Sequence, residues 1–143
     1  MTTTAQTTST TNTAQPKPWI GGAWGAGAAI VINSVIFFAA NAILSGSIQT
    51  AQSGKSPVDL PYAAVAMASV IPVFAGAAVL WALIRFTSFG LRQWSILAAV
   101  LAVLSLGAVV TMQVDGGSKI ALALMHLLTG AVAIWGQRRA ATR

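Results

Sequence analysis

Residues 62–112 read YAAVAMASVIPVFAGAAVLWALI, then RFTSFGLRQ, then WSILAAVLAVLSLGAVVTM. Two apolar runs, 62–84 and 94–112, are therefore separated by a short basic turn. A helix rises 1.5 Å per residue, so about 20 apolar residues are needed to cross a hydrocarbon core of about 30 Å. Each run is long enough, and neither contains Asp, Glu or Arg. We predict that both runs are membrane-spanning helices.

The same pattern occurs before and after this stretch, which makes four apolar runs in all. The predicted fold is all-α, a four-transmembrane-helix bundle, with spans at about 20–44, 62–84, 94–113 and 118–136. Residues 1–18 are Thr- and Ser-rich and are predicted to be a disordered cytoplasmic tail. Residues 19–137 form the membrane domain, and 138–143 a basic cytoplasmic tail.

Composition limits the function classes. Of 143 residues, 56% are hydrophobic and only 7% are charged, whereas soluble domains carry about 25% charged residues. Four spans leave no room for a soluble catalytic domain. Cysteine is absent, which excludes disulfides and thiolate metal sites. The net charge of +6 comes from basic residues that flank apolar spans, so it indicates anionic lipid head groups as partners and not nucleic acid.

The distribution of charge predicts the orientation. Lys55 and Lys119 lie on one side of the four spans, together with the only two acids, Asp59 and Asp115. The other six basic residues lie on the side of the N-terminus: Lys17, Arg85, Arg92, Arg138, Arg139 and Arg143. The positive-inside rule then places both termini in the cytoplasm, with Arg85, Arg92, Arg138 and Arg139 as the topology determinants.

Tryptophan gives an independent indication of the same orientation. Indole rings prefer the head-group level of a membrane. All five tryptophans lie at or near the predicted cytoplasmic ends of their spans, where we expect them to be interface anchors: Trp19, Trp24, Trp81, Trp94 and Trp135.

Four polar residues within the spans form the candidate intramembrane site: His126, Asn33, Thr129 and Asn41. Polar groups at this depth are costly against lipid, so we predict that the faces carrying His126 and Asn33 point into the bundle, where the two side chains could meet. One reading is structural hydrogen bonding. Another is a proton or substrate site at His126. A third is an axial haem ligand, although one histidine cannot make a bis-histidine site within one chain.

Small residues and proline suggest how the helices meet. The spacing of Gly21 and Gly25 fits the close-packing pattern of membrane helices, either in a dimer or simply as a glycine-rich entry segment. Pro72 is the candidate kink of the second span, as a packing feature or a gating hinge. It lies on a predicted contact stripe with Ala64, Ala68 and Gly76. The short turn at 87–92 predicts that the second and third spans are neighbours.

The last third of the chain carries a resemblance. Residues 117–131 read GSKIALALMHLLTGA, and they follow the pair Leu104-Ser105 in the third span. This pattern resembles a family of small actinobacterial membrane proteins known as domain of unknown function 6069, whose last helix opens with a small residue and Lys and carries a His. The matching residues are Ser118, Lys119, Leu122, Leu124, His126, Leu127 and Ala131. The resemblance implies a four-helix membrane fold and no particular chemistry.

The sequence contains no catalytic motif and no intramembrane carboxylate. We therefore expect a non-enzymatic structural or accessory subunit of the plasma membrane, with no cofactor and no metal. Its expected partners are membrane lipids and either a second copy or a larger membrane complex. The alternative is a small oligomeric transporter or channel that uses His126 and Asn33. Ser118 is the predicted N-cap of the fourth span.

Overall fold

The structure is a computed structural model that describes residues 17–44, 46–51, 55–88 and 90–141. Four helices dominate these residues: α1 (Pro18–Ile43), α2 (Tyr62–Phe86), α3 (Leu91–Thr111) and α4 (Gly116–Ala141). Two short strands, β1 (Gln49–Thr50) and β2 (Val58–Asp59), pair antiparallel between α1 and α2. All four helices are long and apolar enough to cross a membrane, which confirms the predicted all-α four-helix class.

The two predicted tails differ in what the structure says about them. Residues 1–16, most of the predicted disordered tail, lie outside the described residues. At the other end, α4 continues to Ala141, so Arg138 and Arg139 lie on its last helical turn and not in a separate tail. Because alternate helices run in opposite directions, Pro18, Phe86, Leu91 and Ala141 lie at one end of the bundle, here called the terminal end. The opposite end, with the β-hairpin, is called the loop end.

Helix α1 is the centre of the packing. It contacts α4 and α2 along its length, whereas α3 packs mainly on α4. Helices α2 and α3 meet only slightly in the described part of the chain, so the prediction that they are packed neighbours is wrong for most of their length. A short turn fixes which ends are close, but it does not require the two helices to stay together.

Glycine allows α1 and α4 to approach each other closely. A Cβ atom at Gly136 would meet the backbone of both Gly21 and Gly25, and a Cβ at Gly25 would lie 3.2 Å from the Cα of Ala133. Backbone atoms cannot move aside as a flexible side chain can. Gly21 and Gly25 therefore act in packing within one chain.

The contact face of α2 differs from the predicted stripe. Its buried residues are Val65, Ser69, Val73, Ala77 and Leu80. In contrast, Ala68 and Pro72 are exposed, although Pro72 lies inside the continuous helix. The predicted stripe differs from the buried face of α2 by one residue, because Ala and Val side chains are tolerated equally well against lipid and in a packed interior.

Trp94 also differs from its predicted role at the membrane interface. Its side chain is only 3% exposed, and its indole Nε1–H donates to the carbonyl oxygen of Gly76 at 3.1 Å. Trp94 therefore joins the first turn of α3 to the middle of α2. The other four tryptophans are each more than 40% exposed.

The hairpin closes the loop end of the bundle. Ile48, just before β1, is fully buried and belongs to a cluster with Phe37, Val65, Val109 and Leu122. These four residues come from α1, α2, α3 and α4 respectively. One aliphatic side chain from the loop thus contacts the cluster in which all four helices meet.

Candidate functional site

Asn33 is the centre of a polar contact between three helices. Its side chain is 3% exposed, and its amide Nδ2 donates to Ser69 Oγ and to Thr129 Oγ1, each at 2.8 Å. Ser69 in turn donates its hydroxyl to the carbonyl of Val65 at 2.7 Å. Asn33 thus links α1 to α2 and α4. The predicted residues Asn33 and Thr129 do meet, and Ser69 completes the set.

The polar contact contains no charged group. Asn33, Ser69 and Thr129 are all neutral, and each side-chain hydrogen bond satisfies a group that would otherwise be buried unpaired. One atom is left over: Asn33 Oδ1 is buried and has no hydrogen-bond partner in the structure as described. An amide with two hydroxyls can orient helices and accept one further hydrogen bond. It cannot act as a general acid or base near neutral pH.

His126 lies apart from this cluster. Its imidazole is exposed, and Nδ1 lies 2.8 Å from the carbonyl oxygen of Leu122, one turn earlier. Because a carbonyl only accepts, Nδ1 carries the proton in this hydrogen bond. On the same face of α4, Leu122 is buried and Thr129 is half-buried. The predicted contact between His126 and Asn33 is absent from the described hydrogen bonds, and His126 does not face the interior.

Asn41 has a local role at the loop end. Its Oδ1 accepts the backbone N–H of Ile48 at 2.8 Å, while Ser118 Oγ accepts the N–H of Gln49 at 2.9 Å. The two side chains fix β1 to the ends of α1 and α4. This explains why Ile48 can be held in the apolar cluster although its backbone belongs to a loop.

The N-terminal cap of α4 is Asp115, and the prediction of Ser118 is wrong. The helix begins at Gly116, and Asp115 Oδ1 accepts the backbone N–H of Ser118 at 2.9 Å. Hydrogen bonds from the Ser118 hydroxyl, and then from its backbone N–H, hold the pKa of the Asp115 carboxyl below its usual range. Position 118 therefore lies within the first turn, where its hydroxyl donates to Asp115 and accepts the backbone N–H of Gln49 in the hairpin.

A second buried amide lies at the terminal end. Gln137 is 2% exposed, and its Nε2 donates to the carbonyl oxygen of Pro18 at 3.0 Å. Pro18 is the first residue of α1. At this end of a helix the backbone carbonyls accept hydrogen bonds within the helix, whereas the first N–H groups have no helical partner. Gln137 thus ties the start of α1 to the end of α4. Its Oε1 is buried without a partner in the described residues.

Aromatic and basic side chains cover the same end. Trp24 and Trp135 meet edge to face, with ring centroids 6.4 Å apart. The guanidinium carbon of Arg139 lies 5.7 Å from the centroid of Trp24 and 5.6 Å from that of Trp135, within cation–π range. Arg85, Arg92 and Arg138 are exposed at this end as well.

A model of one protein family matches residues 13–143 and is described as a family of unknown function, DUF6069. The chain belongs to this family. No curated protein and no solved structure matches the sequence significantly. The family assignment agrees with the resemblance seen in the last third of the chain, and it covers all four helices.

The described residues of this family member contain no group of three or more His, Cys, Asp or Glu side chains that could hold a metal ion. The two best-formed depressions on their surface are open grooves at the terminal end, and neither reaches Asn33 or His126.

Sequence reasoning found part of the polar set and missed part of it. Asn33 and Thr129 could be found because a polar residue inside an apolar span is conspicuous. Ser69 carries the same signal, in the middle of the second span, and was overlooked because serine also satisfies itself on its own helix. Gln137 lies on the same predicted inward face of the fourth span as Thr129, and it is indeed buried, but nothing in the sequence indicates its hydrogen bond to Pro18.

Proposed function

We propose that this protein is a non-enzymatic structural or accessory component of the plasma membrane, with both termini in the cytoplasm. The observation that carries the proposal is the use of the buried amides. Asn33 and Gln137 each link separate helices within the chain, through Ser69, Thr129 and the Pro18 carbonyl. The amide nitrogens of both residues hold helices together, and the two N–H groups of Asn33 are both used, so Asn33 has no donor left for a solute.

The exposed imidazole supports an accessory role. His126 lies ten residues from the start of α4, about 15 Å along a helix of 26 residues, and so near the bilayer centre. Polar side chains at this depth normally face a bundle interior or a partner. A neighbouring membrane helix, from a second copy or from a larger complex, would cover His126 and could donate a hydrogen bond to Nε2.

A cross-linking experiment in the native membrane tests this role. A photoreactive amino acid replaces His126 in the full chain, and the matched control replaces Leu124. Leu124 is 46% exposed on the same helix and lies about 160° away around its axis. We expect a cross-linked product of discrete mass from position 126 and none from position 124. Lipid adducts alone at both positions would contradict the proposal.

The transporter or channel alternative makes a different prediction for the same residue. His126 and Asn33 do not share a site in one chain, so this alternative needs His126 to work at an interface between copies. Flux of protons or of a small solute in proteoliposomes, lost in His126→Gln while the variant still folds, would favour it. We expect no such flux.

A further inference from the structure

The terminal end of the bundle has positive charge and no acidic residue of its own. Lys17, Arg85, Arg92, Arg138 and Arg139 all lie there. The chain contains only two acids, Asp59 and Asp115, and both lie at the loop end. Asp115 and Arg138 are separated by nearly the whole of α4, about 35 Å at 1.5 Å per residue. No acidic side chain therefore lies at this end to balance the positive charge.

Two adjoining grooves make one part of this end different from the rest. The first, with a volume of about 460 Å³, is lined by Ala131, Ile134, Trp135, Arg138 and Arg139. The second is of the same volume and is lined by Trp19, Ile20, Ala23 and Trp24. The contact between Trp135 and Trp24 joins them. Arg85 and Arg92, the other described arginines at this end, line neither groove.

The two arginines of the first groove are placed differently. Arg139 is held over the rings of Trp24 and Trp135, which restricts where its guanidinium can lie. Arg138 is exposed and forms no hydrogen bond or ion pair with the described residues. A guanidinium is well suited to phosphate, because its N–H groups match two oxygens at once.

The groove then becomes apolar along the helix. From Arg138 to Ala131 it follows α4 for about 10 Å towards the bilayer centre, at 1.5 Å per residue. Ala131 is exposed and Ile134 half-buried, so an acyl chain could lie against both. The ring of Trp135, 44% exposed, lies between the charged part and the apolar part, as expected of an indole at head-group depth.

We propose that this groove binds one anionic phospholipid. Arg138 and Arg139 hold the phosphate, Trp135 packs against the glycerol region, and the first part of an acyl chain lies on Ala131 and Ile134. A free phosphate ion would use only the charged half of the groove. A soluble acidic protein would neither insert into the groove nor contact the apolar wall of the groove.

Lipid retention by the purified full-length protein tests the proposal. Native mass spectrometry would compare phosphatidylglycerol with phosphatidylcholine of the same acyl chains. The test variant is the pair Arg138→Gln and Arg139→Gln. The matched control is the pair Arg85→Gln and Arg92→Gln, which removes the same charge from the same end. The purified protein in detergent has no anionic surface around it, so only a basic residue close to the bound lipid contributes, at about a factor of five in affinity for each.

We expect tighter binding of phosphatidylglycerol than of phosphatidylcholine, a loss of about 25-fold in the test pair, and a change below about threefold in the control pair. Equal losses of affinity in both pairs would show diffuse attraction and overturn the specific site. An unchanged affinity in the test pair would overturn it as well.

A third variant tests the apolar half of the groove. Ala131→Trp fills it from an exposed position and leaves both arginines in place. We expect weaker binding of long-chain phosphatidylglycerol and no competition by inorganic phosphate. If phosphate alone displaces the lipid, or if Ala131→Trp changes nothing, the acyl part of the proposal is wrong.

Discussion

Asn33 contributes to stability only through the partners it reaches. One amide joins hydroxyls from α2 and α4, so its removal affects two helix contacts at once. Hydrogen bonds between membrane helices are weak on average, about 0.6 kcal/mol with a maximum near 1.7 kcal/mol. The serine and threonine that remain can turn their hydroxyls to their own helix. The cluster is therefore expected to fix helix register more than to supply most of the stability.

A double-mutant cycle with Asn33→Ala and Thr129→Val would measure one of these bonds. We expect a coupling free energy of about 0.6 kcal/mol in reversible unfolding in detergent or bicelles. A matched cycle with Asn33→Ala and Ser105→Ala should give no coupling, because Ser105 donates to Ala102 on its own helix. Zero coupling for Thr129 would mean that the bond between α1 and α4 does not contribute.

Asp115 gives the loop end a dependence on pH. The pKa of its carboxyl is lowered in the folded protein by the Ser118 hydrogen bonds, so the ionised form is favoured by folding. Its stabilising effect is fully present above the ordinary carboxyl pKa, about 3.9, and is lost as pH falls through the lowered value.

We expect the unfolding temperature of the Asp115→Asn variant to lie below that of the wild type at pH 7 and to approach it near pH 3. Thermal unfolding in detergent over this range would show it. Asp59→Asn, which removes the other exposed acid at the same end, is the matched control for loss of charge. A constant difference between wild type and Asp115→Asn at every pH would contradict the role of its charge.

At the scale of the helices, the closest contact lies between α1 and α4. It depends on the absence of side chains at Gly21, Gly25 and Gly136. Membrane helices lack a hydrophobic driving force between them, so close packing and hydrogen bonds carry more of the association. Gln137 adds a hydrogen bond to Pro18 at the same end. The pair α1–α4 is therefore expected to be the most stable unit of the bundle.

Gly136→Ala tests this contact directly. The new Cβ would meet the backbone of Gly21 and Gly25, so the two helices must separate. We expect a loss of unfolding free energy of about 1–3 kcal/mol, as for overpacking of other tight interiors. Gly27→Ala is the control, because a Cβ there meets nothing within 4 Å, and alanine should raise helix stability by up to about 1 kcal/mol. Equal effects would show that α1 and α4 are not closely packed.

The helices themselves could be predicted from sequence, whereas their faces could not. Four long apolar runs specify helices because every backbone polar group must be satisfied inside the bilayer. Because the lipid around the helices is also apolar, the usual contrast between an apolar interior and a polar surface is absent. Ala68 is thus exposed while its neighbour Ser69 is fully buried. His126 was expected inside because it is polar, but its helix places it at a surface that one chain does not cover.

At the scale of the whole molecule, the two ends of the bundle differ. The loop end carries both acids and is closed by Ile48, and the terminal end carries five of the described basic residues and four exposed tryptophans. Such asymmetry matters for insertion because basic loops are retained in the cytoplasm. The hydrogen bond from Gln137 to Pro18 keeps the start of α1 and the last turns of α4 at the same end of the bundle.

Single cysteines in this cysteine-free chain would determine the orientation. Ser56→Cys lies in the exposed hairpin at the loop end, and Ser88→Cys in the exposed turn between α2 and α3 at the terminal end. In intact cells an impermeant maleimide should label position 56 and not position 88, and permeabilisation should make position 88 reactive. The reverse pattern would place the arginines outside, against the positive-inside rule, and would remove the cytoplasmic leaflet as the source of the proposed lipid. The two labels belong to opposite ends of α2, so labelling of both in intact cells would contradict the assignment of α2 as a membrane span.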